Sequence, residues 1–270
     1  MNGPEDPPGF IVRTEVQKAA FERGFRLERG SEHGWLRYGS TTAPVQVWIA
    51  GAGSAGPWFV AVDHAGVAAE LGPSAALPGP GFARFVFPML GGLYDALDRI
   101  WRLARSLPTV PLATFQQQTA GLPRTTEAER WTVQRIGQDV FRQALLDYWG
   151  GRCPLTGITD TALLRASHIV PWAECATDAQ RLDVHNGLLL SALWDAAFDA
   201  GLLSFADDGM ALLSPALSPS ASKALEGGHR QLPEVLSAKH RENLTSHRVR
   251  HGFQKNCHFP EGLDGEGRGR

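Results

Sequence analysis

The chain has 270 residues, 43% hydrophobic and 20% charged, which is ordinary globular usage with length enough for two domains. A formal net charge of −2 gives no global field for a polyanion, so a nucleic-acid partner has to be held by local basic patches. Cys153, Cys175 and Cys257 are irregularly spaced and include no Cys-x-x-Cys pair, which argues against a disulfide framework or zinc knuckle and fits a reducing compartment.

In chain order, the start MNGPEDPPGF shows no basic region followed by an apolar run, and no apolar run reaches the roughly 18 residues of a membrane helix. The expectation is a cytoplasmic protein with no membrane contact. Thr14 to Arg23 predicts a short helix, with Thr14 and Gln17 as a capping box and Gly24 as its C-terminal cap. GWLRYGS, VQVWIA and PWFVAVDHAG then predict an antiparallel meander. GAGSAG, Gly51 to Gly56, matches a dinucleotide fingerprint, but Pro57 to Val62 is strand-like where a helix is required, so it reads as a turn. Helical spacing of Leu93, Ala96, Leu97, Ile100, Leu103, Ala104 and Leu107 predicts a helix from Gly91, stopped by Pro108. Its outer residues Arg99, Arg102 and Arg105 are either a solvated face or a phosphate-contacting stripe.

Ala113 to Glu129 is polar and aperiodic and reads as a linker. Val133, Ile136, Val140, Ala144, Leu145 and Tyr148 mark an amphipathic helix ended by Gly150-Gly151. There follow RCPLTG as a turn, LLRASHIV as a strand, a polar loop, NGLLL as an extended run and a short helix over Ala192 to Ala200. LLSF-ADDG-MALLS predicts a hairpin turning at Asp208-Gly209. The Gly-rich charged tail from Glu261 reads as disordered.

Three polar residues stand out of this apolar second half: His168, Asn186 and Asp195. Singly, each has a bland reading as a core histidine, a turn residue and a solvated carboxylate. Asp195 and Asp199 share a helix face one turn apart, and their repulsion is removed if a cation sits near them.

The stretch CPLTG…LLRASHIVPW…RLDVHNGLLLSALWDAAFDAGLLSF, Cys153 to Phe205, resembles the HNH endonuclease family, and more narrowly its restriction-endonuclease-like branch. The resemblance implies a β-hairpin followed by a helix around one divalent metal, the ββα-metal or His-Me finger. On it, His168 is the general base, Asn186 orients that base, and Asp195, nine residues after Asn186, is a metal ligand. Asp195 replaces a histidine, and its carboxylate suits Mg2+ or Mn2+. Ser167 stands where many members carry a metal-binding aspartate, and Asp199 is the nearby carboxylate that can make up the set.

The expected fold class is α+β. Residues 1–112 form a mixed α/β recognition or sensing domain with antiparallel strands, and 113–129 a linker. Residues 130–258 form the nuclease domain, and 259–270 a tail. The implied activity is metal-dependent hydrolysis of double-stranded DNA, of restriction type with a modification-dependent variant, by a homodimer expected from symmetry. An inactive HNH fold that binds DNA, or a nuclease toxin, is the alternative. Arg152, Arg165, Arg181 and Arg248 are candidate nucleic-acid contacts, as is the basic segment Lys239 to His251. Trp172 and Trp194 read as core, and Cys153 as a small buried residue. Trp35, Trp48, Trp58 and Phe59 either fill the front core or line a pocket for a flipped base.

Overall fold

In a computed structural model the described residues are 3–123, 125–232 and 236–253, so Cys257 and the expected tail lie outside them. Helix α1 (Phe10–Glu22) begins a turn before Thr14. Thr14 Oγ1 donates back to the Phe10 carbonyl at 2.9 Å, so it is a mid-helix residue and not a cap. Gly24 does end the helix, at φ +87°, where a Cβ would strike the Trp101 ring at 2.7 Å. Five strands follow in sequential antiparallel order: β1 (Leu27–Glu32), β2 (Trp35–Gly39), β3 (Gln46–Gly51), β4 (Trp58–Val62) and β5 (Ala83–Phe87). The three expected segments are β2, β3 and β4. β1 carries no apolar alternation because it is an exposed edge, bulged between Glu28 and Ser31.

Helix α1, α2 (Ala65–Leu71) and α3 (Leu90–Ser106) enclose the main front core, with Val16, Phe25, Tyr38, Ile49, Trp58, Leu97 and Ile100 buried. Trp35, Trp48 and Phe59 form a second buried cluster, against Leu77. All four aromatics are therefore core residues, and none is exposed for a base to stack on. GAGSAG is a turn: Ala52 N–H donates to the Pro57 carbonyl at 2.9 Å, and β4 follows.

The α3 arginines do neither of the things expected of them. Arg99 donates to the Glu70 carbonyl at 3.0 Å. Arg102 bonds Asp98 and the Asp147 and Tyr148 carbonyls, and Arg105 pairs with Asp147 at 3.0 Å. Arg102 and Arg105 tie α3 to helix α5 (Glu127–Tyr148). Half of the expected linker is also helical: α4 (Thr109–Thr119) packs on α5 and buries Phe115 and Thr119. Few apolar positions on a polar run hid it. α5 begins at the capping box Thr126/Glu129, well before its first expected apolar residue.

The back half is built around β6 (Leu164–His168) and β7 (Gly187–Ser191), an antiparallel pair in register Leu164↔Ser191 to His168↔Gly187. The short α6 (Asp178–Arg181) lies in the connection. Helix α7 (Ala192–Asp199) follows β7 directly and packs on both strands. The β8 (Leu203–Phe205) and β9 (Ala211–Leu213) hairpin, with Gly209 at φ +85°, matches the expected turn. Helices α8 (Pro219–Leu225) and α9 (Ala238–Arg250) complete the fold. A second core gathers Phe141, Leu145, Leu164, Leu188, Leu190, Trp194 and Phe198. Trp194 and Cys153 are buried in it and Trp172 packs against it, and Tyr148 touches both cores. α5 presses directly on the Asn-Gly step: a Cβ on Gly187 would meet Phe141 at 2.5 Å, so only glycine fits there. The architecture is mixed α+β with antiparallel sheets. Among the described residues no helix is long and apolar enough to cross a membrane.

Candidate active site

The β6–β7 pair ends where its chemistry begins. Ser167, buried, turns to α7, where its hydroxyl donates to the Asp195 Oδ1. Asp195 lies near the N-terminal turn of α7, where the helix dipole favours negative charge. Asp199 stands one turn further on. Its carboxyl is pushed up to about 6 by desolvation and by the negative charge of Asp195, although the residue as a whole is exposed. Ser167 and Asp195 are thus in contact, and Asp199 lies near enough for the Asp195 charge to act on it.

His168, the last residue of β6, is held by other parts of the fold. Its ring stacks on Phe141 with centroids 3.8 Å apart and meets Trp172 edge-on at 5.6 Å. Its Nε2 lies 2.9 Å from the Arg181 carbonyl oxygen. A carbonyl only accepts, so Nε2 carries the proton and the lone pair is on Nδ1. Among the described residues none hydrogen-bonds Nδ1. Burial holds the His168 pKa below the usual imidazole value, partly opposed by the bond to Arg181, so the ring is neutral at pH 7.

Among the described residues the Asn186 side chain makes no hydrogen bond to the His168 ring, where the expectation was that its own amide orients the base. It is buried and holds the β6–β7 connection instead. Its Oδ1 accepts from Val170 N–H at 2.8 Å, and its Nδ2 donates to the Val170 carbonyl at 3.1 Å and the Gln180 carbonyl at 3.4 Å. That connection carries the Arg181 carbonyl, so Asn186 bears on the His168 ring at one remove. Sequence reasoning missed Ser167 as a partner of Asp195, Phe141 as the platform and Arg181 as the orienting carbonyl. No side-chain pattern reports a backbone acceptor. The Ser-His step itself was the available sign for Ser167.

The candidate phosphate contacts divide. The Arg181 guanidinium is occupied by the Trp172 and Cys175 carbonyls and by Asp178, so it braces the loop rather than reaching outward. Arg248 is likewise a staple, with bonds to the Phe205 carbonyl, Asp207 and Thr245. In the basic segment, Lys239 pairs with Asp183 and Arg250 with Glu174, while His240 and His247 are buried. Arg165 is exposed but donates to the Ala162 and Leu164 carbonyls, and Arg152 is exposed. Arg248→Ala is therefore expected to cost about 1–3 kcal/mol and several degrees of melting temperature, since three bonds of a charged donor are lost. The salt dependence of DNA affinity, measured by fluorescence anisotropy, should keep its slope; a slope reduced by about one unit would restore the phosphate contact.

Among the described residues, no group of three or more His, Cys, Asp or Glu side chains is arranged to hold a metal ion. No curated protein matches the chain. Residues 153–206, about a fifth of the length, match the family model described as HNH endonuclease, and they span the β6–β7 pair, α7 and β8. That stretch, with His168, Asn186 and Asp195 inside it, is what the chain shares with the HNH endonuclease family.

Proposed function

We propose that the back half, residues 130–258, is a metal-dependent endonuclease that hydrolyses DNA phosphodiester bonds, with β6, β7 and α7 as its ββα-metal unit. The observation that carries this reading is the His168 tautomer. A neutral imidazole, fixed by a carbonyl at Nε2, keeps its lone pair on Nδ1 one residue along β6 from the Ser167–Asp195 contact.

The donors fit a hard divalent ion, Mg2+ or Mn2+. Two carboxylates and a hydroxyl supply oxygen only, and a cation near them would offset the Asp195 charge that, after desolvation, helps raise the Asp199 carboxyl. The set is sparse, so the remaining positions fall to water and phosphate. When bound, such an ion offsets the charge that develops on the phosphate and the leaving 3′ oxygen. Within the chain, His168 Nδ1 takes a proton from the attacking water, and the Arg181 carbonyl stabilises the imidazolium that results. Phe141 and Trp172 keep the ring from turning. Arg152 and Arg165, both exposed, are the proposed phosphate contacts.

The front domain is the proposed reader of DNA sequence or modification, which makes the whole a restriction-type enzyme. Cutting both strands takes two such sites, which a symmetric homodimer supplies. The test is incubation of supercoiled plasmid, unmodified or methylated, with the full chain and Mg2+ or Mn2+. Nicked or linear product that disappears with chelator supports the reading. DNA binding with no cleavage under either metal would make this an inactive fold that binds DNA. The base must be neutral to act and burial lowers its pKa, so the acid limb of the rate profile should fall below pH ~6.5, the ordinary imidazole value.

A further inference from the structure

One buried cluster outside the site joins the two halves of the chain. His185, in the turn Val184–Asn186, precedes Asn186 directly. Its Nδ1 lies 2.7 Å from Asp183 Oδ1, and its Nε2 lies 2.9 Å from Oε1 of Glu70, which sits on α2 of the front domain. The second Glu70 oxygen accepts from the Tyr148 hydroxyl at 2.7 Å, so both carboxylate oxygens are used. Asn243 Nδ2 holds the His185 carbonyl at 2.9 Å, and Lys239 holds the other Asp183 oxygen at 3.3 Å. Tyr148 and His240 lie edge-on to the ring, 5.8 and 5.1 Å away. Side-chain exposure is 8% for His185 and 14% for Glu70, so solvent screens this pair little.

We infer that Glu70, from the front domain, is a positioning residue for the base: it fixes His185, which fixes Asn186, which fixes the loop whose Arg181 carbonyl holds His168. This rests on the reading of His168 as the base. Each link is a hydrogen bond or a peptide bond already described. Electrostatics agree with the geometry. Burial alone would lower the His185 pKa, but Asp183 and Glu70 outweigh it and raise it to about 9, so the ring is a cation between two anions at pH 7. Its neighbour His240 is held neutral, near 4, by burial and by the His185 charge. A front domain that shifts α2 on binding its target would thereby move the base.

The experiment uses the full chain with Glu70→Ala and Glu70→Gln, read by plasmid cleavage and by imidazole NMR of His168 and His185. Glu70→Ala should lower kcat by about 10–100-fold, with KM for DNA unchanged, and should shift the His168 ring signals although the substitution does not touch that ring. Glu70→Gln keeps an oxygen for His185 but not the charge, so it should hold most of the activity at pH 7. Its alkaline limb should move to lower pH, because a folded pKa raised to about 9 confers its bond only below that value. A wild-type alkaline limb together with wild-type His168 signals in Glu70→Gln would overturn the inference, even if Glu70→Ala fails to fold. If the wild type cleaves nothing, the nuclease reading falls, while the His168 signals still report whether Glu70 controls that ring.

Discussion

His168→Ala should lower cleavage by about 10²–10⁴-fold, the span a positioned general base contributes. The effect belongs in kcat, because the ring contacts Phe141, Trp172 and the Arg181 carbonyl rather than any exposed surface where DNA would be gripped. Alanine also removes a stacked ring from the edge of the core, so a fall in rate alone does not separate chemistry from packing. His168→Gln does. Its amide can still donate to the Arg181 carbonyl, yet it cannot accept a proton near neutral pH. It should lose as much rate as alanine while melting closer to wild type. Cleavage by His168→Gln within about tenfold of wild type would remove His168 from the base role.

The second large effect is at Asp195. Asp195→Asn keeps an oxygen for the Ser167 hydroxyl and nearly the same shape, so the β6–α7 contact should survive. What it loses is charge. Rate should fall by about 10²–10³-fold, as for a lost transition-state electrostatic partner. Stability without metal should move the other way. The Asp199 carboxyl is raised to about 6 in the folded chain, so its contribution is present at low pH and becomes a penalty as pH rises through about 6. Removing the Asp195 charge relieves part of that penalty, and the variant should melt at or above the wild-type temperature at pH 7 to 8. Added Mn2+ should raise the wild-type melting temperature and leave Asp195→Asn unmoved, because a ligand stabilises only the state that binds it. Equal shifts in both proteins would place the ion elsewhere.

Different parts of this molecule were readable from the sequence to different degrees, for physical reasons. α3 was legible because its apolar positions repeat at the helical period and all but Ala96 pack into one core. β2, β3 and β4 were legible because each is short, apolar and bounded by turn residues. β1 was not, since an edge strand gains its hydrogen bonds without burying side chains. α4 was lost because most of its residues are solvated and its stability comes from packing on α5, a tertiary matter. At the site, the identities of His168, Asn186 and Asp195 were visible as a spaced motif. Their relations were not. The motif places an amide near a base, but folding put a backbone carbonyl there and sent the amide to hold the loop. The arginines show the same limit from the other side. Arg102, Arg105, Arg181 and Arg248 look like phosphate contacts in sequence, and each is instead used to tie carbonyls and carboxylates of the chain itself.

The most direct test of the central claim is Mn2+ anomalous diffraction from crystals of the full chain soaked at neutral pH. The expected result is one strong peak beside the Asp195 carboxylate on the Ser167 side, with a bound water within hydrogen-bond reach of His168 Nδ1 and the ring still held at Nε2 by Arg181. A peak remote from Asp195, or a His168 ring whose Nδ1 is closed off by the protein when the ion is present, would contradict it.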